Sequence, residues 1–284
     1  MIAVMGATGT VGNALLRTLT TQGIPCRALT RTPGLLSGTI AAPVEVVAAD
    51  DADPDSLRAA FKGCDQLFLS MANQPDQTEL EIAVIDAAAA ADIGHVVKLS
   101  APAAEPDSPV AVSRGHATIE AHLKATIPLS TILRPYAFMQ KLLLLAPAVT
   151  ARSVIVGAMG NAPCNYIDAR DIADVAAAVL TRPGTAGTTY ELTGGRAVSH
   201  PELADLLTSL TGRPVAYIDL GPAAFHAHLV RTAGMPDWLA AHIVEIQRLA
   251  VSRPESPNTT IETLLGRAPR GLRAFLDENR AAFG

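Results

Sequence analysis

The 284 residues suffice for one large domain, or a main domain carrying a smaller one, and can bury a core without disulfide staples. Hydrophobic residues make up 49% of the chain and aromatic residues only 4%, which favours Ala, Val, Leu and Ile packed helix on sheet over an aromatic-rich sandwich. A formal net charge of -5 leaves no basic face for a phosphate backbone, which excludes nucleic acid as the principal ligand.

The chain opens on an apolar strand over 2–5, followed by Gly6-Ala7-Thr8-Gly9-Thr10-Val11-Gly12 and a helix over 13–21. Glycines suit a tight turn, close approach of backbone to a pyrophosphate, and close packing of helix on strand; the helix N-terminus then offers unpaired N–H groups to phosphates. Placed in the first strand-turn-helix of a βαβ chain, the string points to a dinucleotide, with Gly6, Thr8, Gly9, Thr10, Val11 and Gly12 as its contacts. A second strand over 25–29 runs into Thr30-Arg31, where a site selective for NAD places an acid on the ribose 2′-hydroxyl. Arg31 instead offers a planar fork to a 2′-phosphate, so NADPH is expected ahead of NADH; the alternative is a solvated surface arginine.

A third strand over 44–47 ends near Asp50, and Asp53 is placed to cap a helix over 54–61. The fourth strand, 66–70, brings Ser70 and Met71 to the carboxyl edge of the sheet, and the fifth, 95–99, brings Ser100. These residues and Asp50 are the remaining expected cofactor contacts; capping is the competing role for both serines. The helix between them, 77–91, carries Leu80, Ala83, Val84, Ala87 and Ala91 at helical spacing, a stripe expected to face the sheet. A helix over 113–124 and a strand over 130–133 complete a parallel, doubly wound α/β sheet of Rossmann type.

Beyond Arg134-Pro135 the rhythm changes. A helix over 138–148, a Gly-rich passage over 157–160, a capped helix over 168–180 and a strand over 188–192 are expected, with 165–195 returning to a main domain of 1–150. Helices over 201–210, 223–233, 238–250 and 270–283, with a strand over 215–218, predict a mainly helical cap subdomain of 196–284. Tyr136 should point toward the nicotinamide side, Phe138 and Met139 are candidate walls of an apolar substrate slot, and Trp238 is a candidate lid. His226 and His228 fall on opposite sides of a helix, so no metal site is expected, even with His242 beyond. Cys26, Cys64 and Cys164 are too few and too widely spaced for a disulfide framework and are read as buried, reduced thiols. With no charged n-region after Met1 and no apolar run long enough to span a bilayer, a cytoplasmic protein without membrane partners is expected.

Five strings in order, Gly6 to Gly12, Ala28-Leu29-Thr30-Arg31, Thr131-Ile132-Leu133-Arg134-Pro135, Asp168-Ala169-Arg170-Asp171-Ile172-Ala173 and Tyr190-Glu191-Leu192-Thr193-Gly194, resemble the NmrA-like group of atypical short-chain dehydrogenases. The resemblance extends to Leu264-Leu265-Gly266-Arg267-Ala268-Pro269-Arg270. It implies an NAD(P)H-dependent quinone or dye reductase, a redox-sensing regulator without turnover, or a reductase of a natural-product pathway. Ordinary short-chain dehydrogenases use a Tyr-x-x-x-Lys pair on the helix after the fifth strand, whereas this chain reads Ser113-Arg114-Gly115-His116-Ala117-Thr118-Ile119-Glu120. His116 is a candidate proton donor with Glu120 orienting it or raising its pKa, against a Glu120 that merely pairs with a neighbour; Tyr136 is the rival donor.

The leading expectation is NADPH-dependent hydride transfer to a planar conjugated acceptor, such as a quinone or aromatic ketone. Such an acceptor becomes a stabilised anion, so a strong protein acid is dispensable. The alternative is a non-catalytic sensor whose dinucleotide gates a partner protein. The expected partner is a small aromatic or quinone molecule, and a second copy of the chain is kept open.

Overall fold

The computed structural model describes residues 1–36 and 44–284. In chain order, the first half comprises β1 (Ile2–Met5), α1 (Thr10–Thr21), β2 (Cys26–Thr30), β3 (Val44–Ala48), α2 (Pro54–Phe61), β4 (Gln66–Leu69), α3 (Gln77–Ala90), β5 (His95–Leu99), α4 (Ala111–Thr126) and β6 (Leu129–Pro135). The second half comprises β7 (Ala137–Phe138), α5 (Ala146–Arg152), β8 (Val154–Gly157), β9 (Pro163–Ile167), α6 (Ala169–Thr181), β10 (Thr189–Leu192), β11 (Ala197–Ser199), α7 (His200–Thr211) and β12 (Ala216–Asp219). Four helical segments and a short end helix follow: α8 (Pro222–Arg231), α9 (Asp237–Ser252), α10 (Thr260–Leu265), α11 (Leu272–Glu278) and α12 (Arg280–Phe283).

Seven strands form one sheet in the order β10-β6-β5-β4-β1-β2-β3, and every pairing in it is parallel. The order reverses between β1 and β4, which opens a crevice at the carboxyl edge, the place where ligands of doubly wound sheets bind. Both faces are covered, so the central strands are apolar on both sides. On one face Val4, Ala28 and Phe68 pack under α1 and α6; on the other Ala3, Leu67 and Val96 pack under α2, α3 and α4.

Local chemistry fixes where the helices begin. The Asp53 carboxylate accepts from the N–H groups of Asp55 and Ser56 at the start of α2, and Asp168 accepts from Arg170 N at the start of α6. Ser199 and Glu202 form a capping box on α7.

Three expectations are corrected. The apolar stripe of α3 is rotated: its buried residues are Gln77, Glu81, Val84, Ile85 and Ala88, because a polar pair finds a partner under the helix. The helix expected over 138–148 is instead a two-residue strand, a 3-10 segment over Met139–Leu145 and α5, with Pro147 in the first turn of α5 where its missing N–H costs nothing. The helix over 270–283 is broken into α11 and α12 at Asn279.

The later part is also less purely helical than expected. β9 lies between antiparallel β11 and parallel β7 in a small sheet, and β12 pairs with β8 in another. These sheets, with α5, α7, α11 and α12, enclose a second core of Met139, Val149, Tyr166, Leu203 and Phe283. α8 and α9 form a hairpin around Phe225, Leu229 and Ala240, and α10 returns to the main layer to pack its Ile261 with α6. Among the described residues no helix is long and apolar enough to cross a membrane.

Candidate functional site

The loop between β1 and α1 is built for close approach. Gly6 has φ +76°, and a Cβ there would lie 2.1 Å from the Ser70 carbonyl oxygen. A Cβ on Gly12 would lie 2.2 Å from the Gly6 oxygen, so the first turn of α1 rests directly on the strand end. Gly9 differs: it is the N-cap, its N–H donates to Gly6 O at 2.9 Å, and a Cβ would approach only that oxygen, at 3.1 Å. No side chain caps the helix and no acid stands in its first turn, so the positive end of α1 is open to an anion. Thr8, Gly9 and Thr10 are exposed at this rim, while the Val11 side chain is core and offers only backbone.

Arg31 follows the end of β2, exposed and without an ion pair to any described residue. Asp50 is exposed, but its Oδ1 accepts from Ala52 N at 3.1 Å, which makes it first a turn residue. Ser70 lends its carbonyl to the Gly6 contact and Met71 packs partly on the α2–α4 core. Ser100 is committed inward: its hydroxyl donates to Glu120 Oε1 at 2.6 Å and its N–H donates to Leu133 O at 2.7 Å. The expected cofactor contact of its side chain is therefore replaced by a structural one.

The expectation for His116 and Glu120 also changes. Glu120 receives a two-pronged hydrogen bond from Arg134, Nε to Oε1 at 2.9 Å and Nη2 to Oε2 at 2.6 Å, so it pairs with its neighbour and does not orient His116. His116 instead accepts from Lys98 Nζ at 3.1 Å through Nδ1. Burial first, then the Lys98 charge, hold its pKa well below the ordinary imidazole range. That direction disfavours an imidazolium acid at this position. Lys98 in turn donates to Glu81 Oε2 at 2.6 Å and to Leu99 O at 3.1 Å, and Gln77 Nε2 donates to Glu81 Oε1 at 2.7 Å.

His116 and Trp238 come together. Both line a cavity of about 320 Å³ between the starts of α3 and α4 and the outer helix α9. His242, which the sequence placed only in a rejected metal set, lines it too, with Nε2 accepting from Asn73 Nδ2 at 3.1 Å. The other expected substrate residues lie elsewhere. Met139 belongs to the second core, a correction that follows from its near-complete burial, and Phe138 packs half-buried against the α1–α6 core. Tyr136 is half-buried after β6, and burial first, with Glu191 and Glu255 adding to it, pushes its phenol pKa up.

Sequence reasoning missed the Lys98–Glu81 pair, whose signal was a lysine inside the apolar strand His95–Leu99. It also missed Glu255, whose Oε2 accepts from Asn165 N at 2.5 Å and whose carboxyl is pushed up to about 7 by burial. Cys26, Cys64 and Cys164 are free and buried, and burial pushes the Cys26 thiol up to about 11.

The family model of the NmrA-like family matches residues 1–272. The chain belongs to the NmrA-like family. Among NmrA-like relatives, an NAD(P)H azoreductase of Xenophilus azovorans is 34% identical over 100% of this chain and 99% of its own. A (4-alkanoyl-5-oxo-2,5-dihydrofuran-3-yl)methyl phosphate reductase of Streptomyces griseus is 35% identical over the same shares, 100% and 99%. The solved structure of an NADPH-dependent quinone oxidoreductase of Escherichia coli, complexed with NADPH, superposes with a TM-score of 0.89 at 29% identity and covers 99% of each chain.

Proposed function

We propose that this NmrA-like protein is an NADPH-dependent reductase that delivers hydride to a planar conjugated acceptor, a quinone or a related aromatic or enone compound. The observation that carries the reading is the anion cradle at Gly6–Gly12, open at Gly9 and followed by an Arg31 without an ion pair to any described residue, where a 2′-hydroxyl-selective acid would stand. Relatives that reduce azo and quinone compounds along almost the full length of the chain support it.

The backbone N–H groups at the start of α1 would hold the pyrophosphate, and Arg31 the 2′-phosphate. The bound dinucleotide supplies hydride. The protein's own contribution is to bind, orient and keep water away from the acceptor. α4 carries no tyrosine, so the ordinary tyrosine-lysine proton relay has no counterpart there. A quinone needs no such relay, because its reduced anion takes a proton from water.

The test is NADPH oxidation followed against a panel of quinones, azo dyes and aromatic ketones, beside a direct cofactor titration. Turnover with one class supports the reading. Tight NADPH binding without turnover on any of them removes it in favour of a dinucleotide sensor.

A further inference from the structure

We propose that the cavity between α3, α4 and α9 is the slot in which an aromatic acceptor docks, its oxygen received by the Nε2–H of a neutral His116. This inference rests on the reductase reading above. α3 and α4 both start at the carboxyl edge of the sheet, after β4 and β5, so the cavity lies on the side of the fold where the dinucleotide cradle opens. Its lining joins the apolar Pro75, Val112, Ile119 and the indole of Trp238 to the polar Gln74, Gln77 and Thr78.

The polar end is specified by an unusual chain of donors. An ammonium group only donates, so Lys98 at 3.1 Å makes Nδ1 of His116 the acceptor nitrogen and places the ring proton on Nε2. Lys98 is itself fully engaged, by Glu81, Leu99 O and His116. No described residue accepts from His116 Nε2, although the ring lines the cavity and is 95% buried (5% exposed). The result is a fixed donor, polarised by a cation behind it and left without a partner.

His242 repeats the theme on α9. Asn73 holds its Nε2, and its Nδ1 is buried with no hydrogen-bond partner. Of the two, His242 Nδ1 is the buried atom without a partner, while the Nε2–H of His116 makes no hydrogen bond to a described residue and is open to an oxygen acceptor in the cavity. Neutral donors beside a flat indole and apolar side chains select a carbonyl oxygen on an aromatic ring. Glu245 at the cavity wall disfavours a strongly anionic ligand.

Trp238 is the only tryptophan of the chain, so its fluorescence reports on this cavity alone. The experiment titrates 1,4-naphthoquinone into the full-length protein saturated with NADP⁺, where no hydride is present and no turnover occurs. Saturable quenching is expected, with His116→Leu raising the apparent Kd by about three- to tenfold for one lost hydrogen bond. Val112→Phe, which fills the slot from its apolar wall, should abolish saturation while NADP⁺ affinity stays unchanged; it carries the test even if His116→Leu fails to fold. Linear, non-saturating quenching of the wild-type protein, or saturation untouched by both variants, overturns the proposal. The two readings fail separately: NADPH-driven quinone reduction with linear quenching removes the slot and keeps the reductase, whereas variant-sensitive saturation without any NADPH oxidation removes the reductase and leaves an aromatic-binding site.

Discussion

Lys98 Nζ meets Glu81 Oε2 at 2.6 Å with neither side chain reaching solvent, so a formal ion pair lies between β5 and α3 inside the helix-covered face of the sheet. Desolvating both charges is costly, and the pair is tolerated because Gln77, Leu99 O and His116 complete its hydrogen bonding.

Breaking the pair from one side should therefore be severe. Lys98→Met leaves a bare buried carboxylate and is expected to cost about 3–5 kcal/mol, and Glu81→Leu a comparable amount. The double variant Lys98→Met with Glu81→Leu should recover most of the loss, because the two charges leave together. Urea unfolding of the three proteins checks this; a double variant as unstable as the sum of the singles would show that the pair is not coupled.

Arg31 is expected to set cofactor choice. Arg31→Ala should weaken NADPH binding by about 1.5–3 kcal/mol, the range for a charge-assisted hydrogen bond, and leave NADH binding nearly unchanged. Isothermal titration with both dinucleotides decides it: an equal loss for the two would place Arg31 on a part they share, and no loss for either would assign it to solvent.

The glycines of the first turn separate into two kinds. Gly9→Val meets only the Gly6 oxygen, at 3.1 Å for its Cβ, so the protein should fold and lose dinucleotide binding. Gly12→Ala places its Cβ 2.2 Å from that same oxygen, backbone that cannot yield cheaply, and should lower thermal stability before any question of binding arises. A stable Gly12→Ala protein with intact affinity would contradict this packing.

Much of the main domain was legible because its signals are local. The strand-turn-helix of Ile2 to Thr21, the Asp53 and Asp168 caps and the alternation of apolar runs with helical spacing depend on neighbours in sequence, and their elements form with ends displaced by up to three residues. What was not legible depends on partners far along the chain. Glu81 turns inward because of Lys98, Ser100 because of Glu120, and His116 because of Lys98 and not of the Glu120 four residues on. The short strands Val154–Gly157 and Pro163–Ile167 exist through pairings with residues 216–219, 197–199 and 137–138, for which no periodicity within the segments themselves is a guide.

Acid should destabilise the protein early, and the histidines say where. Burial lowers the pKa of His95, His116, His200 and His242, His200 to about 4, so each is neutral in the folded chain at pH 7. An unfolded histidine titrates near 6.5, so below that value the unfolded chain binds more protons than the folded one. The sign follows directly: stability is full above about pH 6.5 and falls as the pH drops through the window down to the folded pKa. His200 alone, with a folded value near 4, accounts for about 2 kcal/mol of loss by pH 5. Its Nδ1 is buried without a partner and its ring stands 5.1 Å from that of Tyr217, centroid to centroid, so His200→Phe is accommodated as a ring on a ring with no proton to take up. The Tm of the wild-type protein should fall between pH 7.5 and pH 5, and that of His200→Phe should fall measurably less over the same interval. Parallel curves for the two proteins would mean that His200 titrates at its ordinary value and that its burial carries no penalty.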